Sequence, residues 1–137
     1  MNTLGLRHVA LQVRDPQASK VFYCRVLQMV VEWEPDVDNV YLTSQGHDNL
    51  ALHRATTAVE GAQRLDHLGF AVPTAADVDA WHDWVQDQGV RVVQGLKSHR
   101  DGARSFYFAD PDGVVIQIIH HPPIAARAAG RAPDPTA

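Results

Sequence analysis

The feature that most restricts what this chain can fold into is an internal repeat. Asp66–Val72 (DHLGFAV) restates Arg7–Val13 (RHVALQV), with His67 in the place of His8, and the same succession of elements follows each copy. Leu6–Val13 alternates as a strand, with Val9, Leu11 and Val13 on one face and His8, Ala10 and Gln12 on the other. Asp15-Pro16 reads as an N-cap followed by a first-turn proline. The helix it opens runs to about Leu27, with an apolar stripe of Ala18, Val21, Phe22 and Val26. Strands follow at Met29–Glu34, Val40–Thr43 and Leu50–His53. In the second copy, Thr74 with Asp77 forms a capping box for a helix that carries Val78, Trp81 and Val85 and stops near Gly89. Strands at Val90–Leu96, Ser105–Ala109 and Val114–His120 complete it. Each copy is therefore β-α-β-β-β. The expected organisation is one domain over 1–121, with modules 4–54 and 65–120 and a small polar connector 55–64. A Pro/Ala/Arg-rich tail, 122–137, has one large apolar residue, Ile124, and is expected to be flexible.

Composition narrows the function. A net charge of −4 and the lack of any Lys/Arg-rich run argue against nucleic acid as a partner. No apolar stretch approaches membrane-spanning length, and the N-terminus carries no basic-then-apolar signal pattern. The single cysteine, Cys24, cannot form an intrachain disulfide and reads as a small buried hydrophobe, so a cytoplasmic location is expected.

The chemistry concentrates in His99–Gln117 (HRDGARSFYFADPDGVVIQ), which reads as loop, strand, tight turn and strand. Gln117 is a lone amide inside the apolar run Val114–Ile119, and burying an unpaired amide costs roughly 1–3 kcal/mol. It must bond something specific or point into a cavity. Laying Asn39–Arg54 beside Arg104–Ile118 sets Tyr41 with Tyr107 and His53 with Gln117, provided the first turn is two residues longer. In that register the apolar residues of each strand pack under the helices. His8, His53, His67 and Gln117 are left on the opposite face, beside the small residues Ala10, Ala51 and Gly69, where a ligand has room.

With a His on each module's first strand and a ligand-type residue on each last strand, the repeated unit resembles the vicinal oxygen chelate superfamily. That group includes glyoxalase I, methylmalonyl-CoA epimerase, fosfomycin-modifying enzymes, bleomycin-resistance proteins and extradiol dioxygenases. The resemblance implies an α+β fold: two βαβββ modules paired edge to edge in a cupped mixed sheet, helices outside. It also implies a divalent metal (Fe²⁺, Zn²⁺, Mn²⁺ or Ni²⁺) held by His8, His53, His67 and Gln117, a small-molecule substrate with neighbouring oxygens, and a homodimer. His99, Phe106-Tyr107 and Asp110-Pro111-Asp112-Gly113 are similar to the extradiol dioxygenase signature, except that Gln117 stands where that signature has a metal-binding Glu. By this resemblance Tyr107 and His99 are catalytic candidates, and Arg104, Tyr41 and His47 line the substrate. A metal-dependent dioxygenase-like or lyase/isomerase-like enzyme is expected. The alternative is a metal-free protein that binds an antibiotic or other aromatic ligand.

Overall fold

The computed structural model describes residues 6–58 and 65–130, and the chain divides into two units, Met1–Ala62 and Gln63–Ala137. The first unit runs β1 (His8–Val13), α1 (Pro16–Val26), β2 (Val30–Asp36), β3 (Asn39–Thr43), β4 (Asn49–Arg54). Its sheet order is β1-β4-β3-β2, with β1 parallel to β4 and the other pairs antiparallel. The Asp15 carboxylate accepts from the backbone N–H groups of Gln17 and Ala18, and Pro16 fills the first helical position, where no amide hydrogen is needed. The helix buries Ser19, Phe22, Tyr23 and Val26 against a core of Leu11, Val13, Val40, Leu42, Leu50 and Leu52. Val21, expected on the apolar stripe, faces out at 60% exposure; Tyr23 takes its share of the core.

The second unit repeats the plan. It contains β5 (Leu68–Ala71), α2 (Ala75–Asp87), β6 (Val92–Ser98), β7 (Arg104–Ala109) and β8 (Val115–His120), in the order β5-β8-β7-β6. Thr74 and Asp77 close a full capping box, and the helix ends at Gly89, whose φ of +72° favours glycine. Val78 and Val85 of α2 are buried, as are Phe106, Phe108, Ile116 and Ile118, while the His82 ring stands edge-on to Phe106 at 5.2 Å. A further helix, α3 (Pro122–Ala128), occupies the start of the Pro/Ala/Arg-rich stretch 122–137. Pro122 sits in its first turn, and its small alanines suit a short helix. The rest of that stretch from 131, like residues 59–64 of the expected connector, lies outside the described residues.

Strand register settles how the repeats correspond. In the first unit Tyr41 pairs with Ala51 and Asn39 with His53; in the second Tyr107 pairs with Gln117 and Ser105 with Ile119. The connecting turns, 44–48 and 110–114, are of equal length. The counterpart of Gln117 is therefore Ala51, and the expected match of His53 with Gln117 is corrected by two residues. A slip of two leaves a side chain on the same face but moves it roughly 7 Å along the strand.

Candidate metal and substrate site

In the second unit, three of the residues picked from sequence meet on the face away from α2. The Gln117 side chain, 7% exposed, donates from Nε2 to the Tyr107 hydroxyl at 2.7 Å. The His67 ring stands edge-on to the Tyr107 ring, centroids 5.4 Å apart, and His67 Nδ1 is 2.5 Å from the Asp66 carboxylate. A carboxylate accepts only, so Nδ1 carries the hydrogen, and the Nε2 lone pair is the one the neutral ring offers a metal. Gly69 pairs with Gln117 across the sheet, and a Cβ there would come within 3.5 Å of Gln117 Oε1. That is ordinary van der Waals contact, so the amide oxygen lies alongside position 69 on this face.

The first unit presents His8 and His53 on one face, but not together. His8 pairs with Asn49 and His53 with Gln12, four residues further along the parallel strands, which is roughly 13 Å at about 3.3 Å per residue. Both rings are held alike. His8 Nδ1 contacts Asn49 Oδ1 at 2.6 Å, and His53 Nδ1 contacts Asn39 Oδ1 at 2.7 Å. Asn49 Nδ2 donates to Glu32, and Asn39 Nδ2 donates to Asp36 at 2.8 Å. That bond, with a second from the Asp38 N–H, holds the Asp36 carboxyl below the usual carboxylate range. Tyr41 stacks on Trp33 at 5.1 Å and meets the His53 ring edge-on at 5.6 Å. Trp33, not singled out from sequence, is 59% exposed.

Three candidates stand elsewhere. The Arg104 guanidinium is engaged by Asp79 of α2 at 2.6–2.7 Å and by Ser98. Its place in the alternation with Phe106 and Phe108 puts it on the helix side, the strand face opposite Tyr107. His99 sits at the end of the β6–β7 hairpin with Nε2 at 2.9 Å from the Ser105 hydroxyl. His47 lies in the β3–β4 turn, its backbone N–H donating to the Ser44 carbonyl. Among the described residues, no three His, Cys, Asp or Glu side chains gather as a ready metal cluster. In the second unit the side-chain donors that fit an ion are His67 Nε2 and Gln117 Oε1; in the first, the His8 and His53 rings each present an Nε2. Each has its other polar atom already bonded, the arrangement that orients metal-binding side chains.

The family model of the Glyoxalase/Bleomycin resistance protein/Dioxygenase superfamily matches residues 5–118. The chain belongs to that superfamily. Its relatives within the superfamily include the metallothiol transferase FosB of Staphylococcus epidermidis, 26% identical over 86% of this chain and 82% of that protein. Biphenyl-2,3-diol 1,2-dioxygenase 2 of Rhodococcus globerulus is 26% identical over 81% of this chain and 60% of its own. Among solved structures, the lactoylglutathione lyase of Agrobacterium tumefaciens aligns with a TM-score of 0.73 at 21% identity, covering 88% of this chain and 96% of that one, a likeness of fold. The matched span takes in His8, His53, His67, Tyr107 and Gln117. The α+β fold of two four-stranded mixed sheets agrees with the resemblance read from the repeat.

Proposed function

We propose that this chain is a metal-dependent enzyme acting on a small substrate with two neighbouring oxygens. In the second repeat His67 Nε2 and Gln117 Oε1 would hold a divalent ion, and His8 Nε2 is the equivalent donor of the first repeat. The observation that carries the reading is the His67–Tyr107–Gln117 cluster, in which both donor side chains are already oriented by a second bond. When bound, such an ion supplies Lewis-acid stabilisation of negative charge on substrate oxygens.

The chain's own residues define the rest. Tyr107 accepts from Gln117 Nε2, so its phenolic hydrogen is not committed to that amide and is available to a substrate oxygen. Imidazoles and an amide are neutral, so no carboxylate in the donor set offsets the ion's charge, which favours an anionic chelating substrate. An amide at 117 also cannot take a proton. Enolisation by a carboxylate base at that position is therefore not on offer, and group transfer or oxygenation suits the donor set better than isomerisation. Trp33, Tyr41 and His53 act as a substrate wall on the face that carries His8. The Trp33–Tyr41 stack also favours a second reading, a metal-free site for an aromatic ligand.

Titration with nitrocatechol separates the two. The metal-loaded protein is expected to bind it as the dianion with a shifted absorption band, while the metal-free protein does not. Equal binding with and without metal would overturn the enzyme reading in favour of the aromatic-ligand one.

A further inference from the structure

We infer that Glu32 and Asn49 form a relay that sets His8 as an Nδ1-protonated imidazole with Nε2 free, making both of them positioning residues for the metal. The inference rests on the reading of His8 as a metal donor. Glu32 lies on β2, two strands removed from β4 in a sheet ordered β1-β4-β3-β2. It reaches Asn49 because β2 carries an irregularity there: Val31 pairs with Leu42 and Trp33 with Tyr41, which leaves Glu32 as the extra residue. Glu32 and Trp33, consecutive in sequence, thereby serve one face.

Hydrogen-bond polarity runs one way along the relay. Glu32 Oε2 can only accept, so the Asn49 amide must turn its Nδ2 toward it and its Oδ1 toward His8. Oδ1 can only accept in turn, so His8 Nδ1 must hold the hydrogen. A carboxylate two side chains away thus selects the tautomer whose Nε2 is a ligand.

The second repeat reaches the same state by an unrelated route. The position matching Asn49 is Val115, and the extra residue of the matching β6 irregularity, between Val92 and Gln94, is Val93. His67 instead takes its acceptor from Asp66, the residue before it; before His8 stands Arg7, a cation with no acceptor. What the repeats share is an acceptor on Nδ1, not the residue that provides it. The similar His53–Asn39–Asp36 chain has a local explanation. Asn39 is three residues from Asp36, and Asp36 also accepts from the Asp38 N–H within the β2–β3 turn. No turn explains a contact from Glu32 to Asn49.

The test uses the full chain at neutral pH, with two readouts: Mn²⁺ affinity by calorimetry and the His8 tautomer from ¹⁵N ring shifts of the metal-free protein. Asn49→Ala should weaken Mn²⁺ binding by about 10–100-fold, the usual effect of losing such an orienting partner. It should also move His8 toward the Nε2-protonated tautomer. Glu32→Ala, which leaves Asn49 in place but frees its amide to turn, should shift both readouts in the same direction by less. The double variant Asn49→Asp/Glu32→Gln rewires the relay. The amide introduced on β2 donates to the carboxylate introduced on β4, that carboxylate accepts from His8 Nδ1, and wild-type affinity should return. Unchanged affinity and tautomer in Asn49→Ala, with affinity lost in His8→Ala, would overturn the relay and leave the metal reading standing. Unchanged affinity in His8→Ala would overturn the metal reading for His8 itself, whatever the tautomer result.

Discussion

Tyr107→Phe removes one oxygen, and the structure says where the cost falls. The hydroxyl accepts the Gln117 Nε2 hydrogen at 2.7 Å, and Gln117 is only 7% exposed, so the buried amide donor is left without its partner. An unsatisfied buried donor costs about 1–3 kcal/mol. Unfolding a chain of 137 residues carries roughly 0.3 kcal/mol/K of entropy near its midpoint, so the expected fall in Tm is about 3–10 °C by thermal melt. The reverse deletion is milder. Gln117→Leu deprives only the half-buried Tyr107 hydroxyl, which can turn to water, and the double variant Tyr107→Phe/Gln117→Leu should cost less than the two singles added. A Tyr107→Phe loss under about 0.5 kcal/mol, or strict additivity in the double variant, would refute the claim that Tyr107 holds the Gln117 amide.

Other outcomes follow from placement. His53→Ala should leave divalent-metal affinity within about twofold of wild type by calorimetry, because His53 stands four residues along the sheet from the His8 rung and outside the donor set. Phe106→Ala empties the core under α2 and should destabilise the chain by about 3–5 kcal/mol in denaturant unfolding, the range for deleting a fully buried aromatic side chain. Glu34 is held below the usual glutamate range by hydrogen bonds from Lys20 and Gln17. A lowered native pKa means its stabilisation is present above the ordinary glutamate value and is lost as pH falls through the native one. The small stability gap between wild type and Lys20→Ala should therefore close on acidification, and a gap that widened would contradict that sign.

The repeat, the capped helix starts and the faces of the strands were legible because each rests on a local rule: two-residue alternation, an Asp-Pro opening, a Thr-x-x-Asp box. The position of His53 was not. Alternation names a face, and sliding a strand by two residues preserves that face, so pattern alone cannot choose between Ala51 and His53 as the match for Gln117. Equal turn lengths were the available signal, and pairing ligand-type residues overrode it. The strand face of Arg104 was hidden for a related reason. Reading the strand from Ser105 left Arg104 in a loop, whereas one more step of alternation puts it with Phe106 on the helix side. The acceptor role of Asn49 and the reach of Glu32 depend on a strand irregularity that no periodicity announces. The same irregularity turns Trp33 onto the face of Tyr41, where simple alternation would not put it.

The central claim is that His67 and Gln117 hold a divalent ion, and titration of the metal-free full chain with Zn²⁺ or Mn²⁺ tests it most directly. The account predicts one ion per chain, an affinity lost or reduced by about 10-fold or more in His67→Ala, and a tighter site in Gln117→Glu, where a carboxylate replaces the neutral amide. Binding weaker than millimolar in the wild type, or an affinity indifferent to both substitutions, would contradict it.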